Sequence, residues 1–164
     1  MLDTLRNFAE VGVAVAGFSA IAVALNRDLA STPDSSERGG LHTLLETAGL
    51  VVLFALVPQV LEQAPVSEAA LWRSALLGYG LVHLGHAMII GVRNGARRAT
   101  VPFAPALFAG GLVVLASQLL VGAFGSLDWV RFVYLVALGW HTLIAAISFA
   151  GLILSDRRGG DRAG

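Results

Sequence analysis

Six ionisable side chains stand inside or at the edge of long apolar stretches of this sequence: Glu10, His42, Glu46, His83, His86 and His141. Gln59 and Gln118 are their uncharged companions. An ionisable group within a membrane helix costs about 2.5–3.5 kcal/mol on insertion scales, so each is a functional hypothesis from the start. Carboxylates and imidazoles spread over several depths suit a relay, because they exchange protons or hold a passing cation. Two histidines at one depth could instead ligate a b-type haem, with Gly80, Gly85 and Gly139 leaving room for the macrocycle. A third reading is structural, in which the same groups hydrogen-bond across helices and fix their register, at about 0.6 kcal/mol per bond.

The elements that position these residues follow from the apolar runs themselves. About 20 residues cross a bilayer at the helical rise, and 5–25, 41–61, 69–92, 102–124 and 129–154 each supply such a run. Short connections and a polar tail at 155–164 are left over, the first connection ending in Gly39-Gly40. With 56% apolar and 13% charged residues and a mean hydropathy of +0.75, the 164-residue chain is too apolar for a soluble domain. The expected fold is all-α, a single integral membrane bundle of about five transmembrane helices with the lipid bilayer as its main partner. Asp3, Arg6 and Glu10 precede the first apolar run and no A-x-A-like site followed by a soluble mature domain comes after it, so that run is expected to be a span and not a secretory signal.

Composition removes several chemistries. The absence of cysteine excludes disulfides, iron–sulfur clusters and thiolate nucleophiles. Every basic residue is arginine, a bias read as that of a GC-rich bacterial genome, and without lysine there is no Schiff-base chemistry. Eleven basic and eleven acidic residues cancel, and the basic ones keep to helix ends and connections, which leaves no patch for nucleic acid. His83 and His86 stand three apart but lack the H-E-x-x-H context of a zinc site, so no metal site is expected. No serine nucleophile motif, phosphate loop or paired carboxylate site points to an enzyme.

Depth follows from counting residues inward from each helix end. His83 and His141 both come out roughly 18 Å in, near the midplane, where they could meet as relay partners or haem ligands. Glu46 and His86 lie roughly 8 Å from the cytoplasmic end, with His42 one turn nearer to water, an arrangement that predicts an inner cluster. Glu10, Gln59 and Gln118 fall in the outer third, close enough to Arg73 and Arg131 for a charge pair with Glu10. Tyr79, His83 and His86 share one helical face, and Tyr134, His141 and Ser148 share another. If those faces meet, a polar seam runs from the middle of the bilayer toward the cytoplasm.

Gly12, Ala16, Ala20 and Ala24 recur every fourth residue, the small-xxx-small pattern that lets two helices approach closely, within the bundle or between subunits. A short bundle of this kind is expected to homo-oligomerise. Glu10 followed by Ala16-Gly17-Phe18 and Ala24-Leu25, then Pro58, then Trp72-Arg73-Ser74, resembles a widespread group of small, uncharacterised bacterial multi-pass membrane proteins. That resemblance brings no activity with it. Gly17-Phe18-Ser19 and Leu53-Phe54-Ala55-Leu56 are also similar to the Orai calcium channels, but Leu25 stands where that family would place its selectivity glutamate, which speaks against calcium selectivity.

Orientation follows from the arginines. Five spans put Arg27, Arg38, Arg93, Arg97, Arg98, Arg157, Arg158 and Arg162 on one side and only Arg6, Arg73 and Arg131 on the other. The positive-inside rule then places the N-terminus outside a bacterial cytoplasmic membrane and the C-terminus within the cell, with Trp72 and Trp129 at the outer interface. A reporter fused after Gly164 should therefore be active in the cytoplasm, and one inserted at 64–67 should be active outside. An external reading from the C-terminal fusion would contradict the five-span topology.

Overall fold

A computed structural model of the chain describes residues 1–25, 35–95 and 104–160. It contains five helices: α1 Leu2–Leu25, α2 Ser35–Leu61, α3 Glu68–Gly95, α4 Ala104–Phe124 and α5 Leu127–Gly160. No strand occurs among the described residues. Three segments, Leu41–Leu61, Pro105–Phe124 and Leu127–Gly151, are long and apolar enough to cross a membrane. Arg27, Arg97, Arg98 and Arg162 of the charge count lie outside the described residues.

Two helices run past their expected ends. α2 begins at Ser35 and passes through Gly39-Gly40, and α5 continues through Arg157-Arg158 to Gly160 in the polar tail. Hydropathy marks where an apolar environment would end, whereas a helix stops only where its i→i−4 bonding is broken. Glycine costs about 1 kcal/mol against alanine yet keeps its N–H, so it weakens these turns without ending them. Elsewhere the starts follow local chemistry. The Ser67 hydroxyl accepts from the Ala70 amide at 3.3 Å and caps α3, and the Ser126 carbonyl accepts from the Val130 amide at 2.9 Å as α5 opens.

Helix packing divides the chain into two compact units, Met1–Leu56 with His141–Gly164, and Val57–Trp140. In the first, α1 lies against α2 at Gly12. A Cβ on Gly12 would stand 2.8 Å from Val52 Cγ2 and 3.3 Å from the Ala48 carbonyl oxygen. The small-residue stripe is therefore used within the chain at this point, while Ala16 is half-buried and Ala20 exposed. Leu44, Ala48, Val51 and Ala55 of α2 are buried at the three- and four-residue spacing of one helical face.

The second unit is built from α3, α4 and the first part of α5. Its buried side chains repeat at helical spacing: Trp72, Leu76, Tyr79 and His83 on α3, and Val130, Tyr134, Ala137 and Leu138 on α5. Trp72 and Tyr134 meet edge to face at 5.6 Å, Tyr79 and Tyr134 at 5.7 Å, and the Tyr79 hydroxyl donates to the Ala137 carbonyl at 3.3 Å. Trp72 is thus buried against protein, contrary to its expected place in an interfacial belt, whereas Trp129 is exposed. Arg131 lies over the Trp72 ring at 5.7 Å and bonds the Glu68 carboxylate.

Arg73 closes the end of α4. The last carbonyls of a helix have no partner within it and carry its negative pole. Arg73 Nη1 donates to the Gly122 and Ala123 carbonyls at 3.1 and 3.0 Å, and Nη2 to the Gly125 carbonyl at 2.6 Å. A planar fork delivers three such bonds where an ammonium would deliver fewer. Arg73→Met should lower stability in detergent by about 2 kcal/mol, and Arg73→Lys should recover only part of that loss. A Met variant that unfolds together with the wild type would show that the cap carries no weight.

Candidate functional site

α3 and α4 run antiparallel and close together. A Cβ on Gly80 would lie 3.0 Å from Leu119 Cδ2 and 3.3 Å from Gln118 Cβ, and one on Gly122 would lie 2.8 Å from Leu77 Cδ2. With no side chain at these two points, the helices approach within reach of short polar side chains. One turn beyond Gly80, His83 Nδ1 meets Gln118 Oε1 at 2.7 Å, and both residues are buried, at 5% and 0% exposure. The amide oxygen only accepts, so Nδ1 carries the proton of this bond. The Gln118 amide nitrogen is buried and has no hydrogen-bond partner among the described residues.

The other edge of His83 faces a different pair of glycines. A Cβ on Gly110 would collide with the Trp140 ring, so the indole rests directly on the α4 backbone. A Cβ on Gly111 would stand 3.5 Å from Trp140 Nε1 and 3.9 Å from His83 Nε2. Gln118 and His83 therefore form a buried polar pair, with the Trp140 indole packed on the same helix at Gly110 and Gly111. Nothing in the sequence singles out Trp140 or Gly111, because their role depends on which faces of α4 and α5 meet.

The pairing of His83 with Gln118 corrects the depth count, which places them in different layers. Counting inward from each helix end assumes that the ends are flush. Arg73, already a turn into α3, reaches the last turn of α4, so α3 starts beyond the end of α4 and the two scales are offset. Tyr79 and Tyr134, one from each of the two faces expected to meet, are in contact. Further along α3 His83 bonds Gln118 of α4, and His86 is half-buried.

The remaining candidates divide between the two units. His141 is buried and belongs to the first unit, as do half-buried Glu46 and exposed His42, whereas His83 and His86 belong to the second. Glu10 is exposed and bonded to Arg6 Nε at 3.1 Å, one turn earlier, while Arg73 and Arg131, expected beside it, serve the α4 carbonyls and Glu68. Gln59 is half-buried. Among the described residues no three His, Asp or Glu side chains converge to hold a metal ion. Several hydroxyls are engaged by their own helices, Ser19 with the Val15 carbonyl, Thr47 with Thr43 and Ser117 with Val113, and so contribute little to a site.

Coupling between His83 and Gln118 is measurable. His83→Phe and Gln118→Leu each strand a buried polar group, while the double variant removes both, so the double should be more stable than the sum of the singles by about 1 kcal/mol. Strictly additive losses in detergent unfolding would deny the bond. Compared with protein-family models, curated proteins and solved structures, the chain matches none.

Proposed function

We propose that this chain is a five-span protein of a bacterial cytoplasmic membrane, N-terminus outside, that passes protons, ions or a small polar solute along buried histidines and glutamate. The membrane part of the reading is supported by three helices of sufficient length and apolarity. Large apolar side chains also point outward from all five helices, among them Val13, Leu53, Leu81, Val113 and Val136. Those outward faces suit lipid and a second copy of the chain alike, so homo-oligomerisation belongs to the same proposal.

The observation that carries the pathway is the buried His83–Gln118 pair with its unpartnered amide nitrogen. A pin that only fixes register gains most when every buried donor is satisfied, because a half-satisfied network costs more than an apolar one. An open donor beside an imidazole is what a transient guest requires. Half-buried Glu46 and His86 are the further titratable groups that this reading assigns to the path, whereas Glu10 and His42 are exposed.

Purified protein in vesicles should show a flux that varies with pH across the histidine range. Glu46→Gln and His86→Gln keep size and hydrogen bonding and leave the His83–Gln118 bond alone, so both should abolish flux in a protein that melts normally. If these residues serve as structural pins, Glu46→Gln leaves flux unchanged and Glu46→Leu lowers the melting temperature instead.

A further inference from the structure

α1 carries two opposite faces of different kinds. Leu5, Gly12 and Ser19, seven apart, are buried, and Gly12 lies against α2. Asp3, Glu10 and Gly17 also stand seven apart, half a turn round the helix from the first three, and all are exposed, with exposed Arg6, Ala14 and Ile21 beside them. Glu10 falls about 8 Å inside the expected span, yet its side chain is 63% exposed and that of Arg6 76%. Arg6 Nε donates to Glu10 Oε1 at 3.1 Å, which leaves the other carboxylate oxygen and the remaining guanidinium N–H groups without partners among the described residues. Hydrocarbon offers such groups neither counter-charge nor hydrogen bonds, so bare lipid is a costly neighbour here.

We propose that this face of α1 packs against the same face of a second copy of the chain across a two-fold axis, with Arg6 of each copy bonding Glu10 of the other as well as its own. Charge singles out a second copy over lipid. The face holds a base and an acid one turn apart, and a copy standing side by side in the membrane brings the complementary groups to the same depth. Helical side chains lean toward the N-terminus, so Glu10 leans back toward the level of Arg6, and the long arm of the guanidinium spans the gap between helices. A Cβ on Gly17 would meet nothing within 4 Å in its own chain. The fold therefore does not require glycine there, whereas close approach of a second helix does. The homo-oligomer of the proposed function thereby acquires a definite face, and the assignment rests on α1 being a membrane span.

Because the chain has no cysteine, Ala14→Cys in the full-length protein reports the contact, and under mild oxidation in native membranes it should give a disulfide-linked dimer. In that background Arg6→Glu leaves two acids on the face and Glu10→Arg two bases, and each change alone should slow cross-linking at least about tenfold through like-charge contact. Gly17→Leu should slow it too, at an unchanged melting temperature, since its own chain leaves the space open. Co-expressed under different tags, the Arg6→Glu and Glu10→Arg proteins should recover cross-linking as the mixed dimer. Charge reversals that leave the rate unchanged would overturn the proposal, as would a mixed pair no faster than either variant alone, which would confine Arg6 and Glu10 to their own helix. Absence of a dimer from Ala14→Cys would also overturn it and leave the face to lipid. If exposed Val113→Cys on α4 then links instead, the chain still oligomerises and only the α1 face is lost. Alkaline extraction of the same membranes tests the span separately, since a released protein that keeps the mixed-dimer preference retains the pairing and loses the five-span reading.

Discussion

The guanidinium of Arg73, spread over the last carbonyls of α4, is the contact on which the second unit turns. A helix end leaves its carbonyls without partners, and where water is scarce they must be met by another group. Because a single side chain bonds Gly122, Ala123 and Gly125 together, α3 cannot slide along α4 without losing all three bonds. That fixes the antiparallel register, and the register sets Gly80 beside Gln118 and brings His83 within 2.7 Å of its amide. The contacts of Glu68 with Arg131 and of Trp72 with Tyr134 tie the start of α5 to the same end of α3. The polar pair in the interior is thus a consequence of charge placed at the rim.

Missing side chains matter as much as those present. Gly80 and Gly122 let α3 and α4 approach until short polar groups can meet, and Gly110 lets an indole lie flat on helix backbone. Leucine at these points would hold the helices apart and leave His83 and Gln118 buried without each other, at a cost larger than the net gain of the bond itself. Close packing of small residues and burial of a polar pair are therefore one feature.

Much of this was legible in the chain before any coordinates. Five apolar runs predict five helices, and the spacing of Tyr79, His83 and His86 and of Tyr134, His141 and Ser148 predicts two faces, of which Tyr79, His83, Tyr134 and His141 are buried and His86 and Ser148 half-buried. Gln118 stands out as a polar residue in an apolar helix, but its partner could not be read, because the offset between α3 and α4 is set by a side chain reaching across helices. Arg73 and Arg131 enter a charge count as interchangeable cations, whereas one became a helix cap and the other a partner for Glu68 and Trp72. Glu10 pairs with Arg6, one turn away on the same helix, a partner that the count of depths passes over. Periodicity reports which face of a helix is buried and is silent on which neighbour covers it.

The central claim is the register of α3 against α4, and the absence of native cysteine makes it directly measurable. A Cβ on Gly122 falls 2.9 Å from Leu77 Cγ, where the sulfur of a cysteine would sit, so Leu77→Cys with Gly122→Cys satisfies the reach of a disulfide. In native membranes this pair should cross-link rapidly under mild oxidation, while Leu77→Cys with Leu115→Cys, two turns away on the same face, should stay reduced. Cross-linking of the displaced pair at an equal rate, with the Leu77–Gly122 pair unreactive, would contradict the register and with it the meeting of His83 and Gln118.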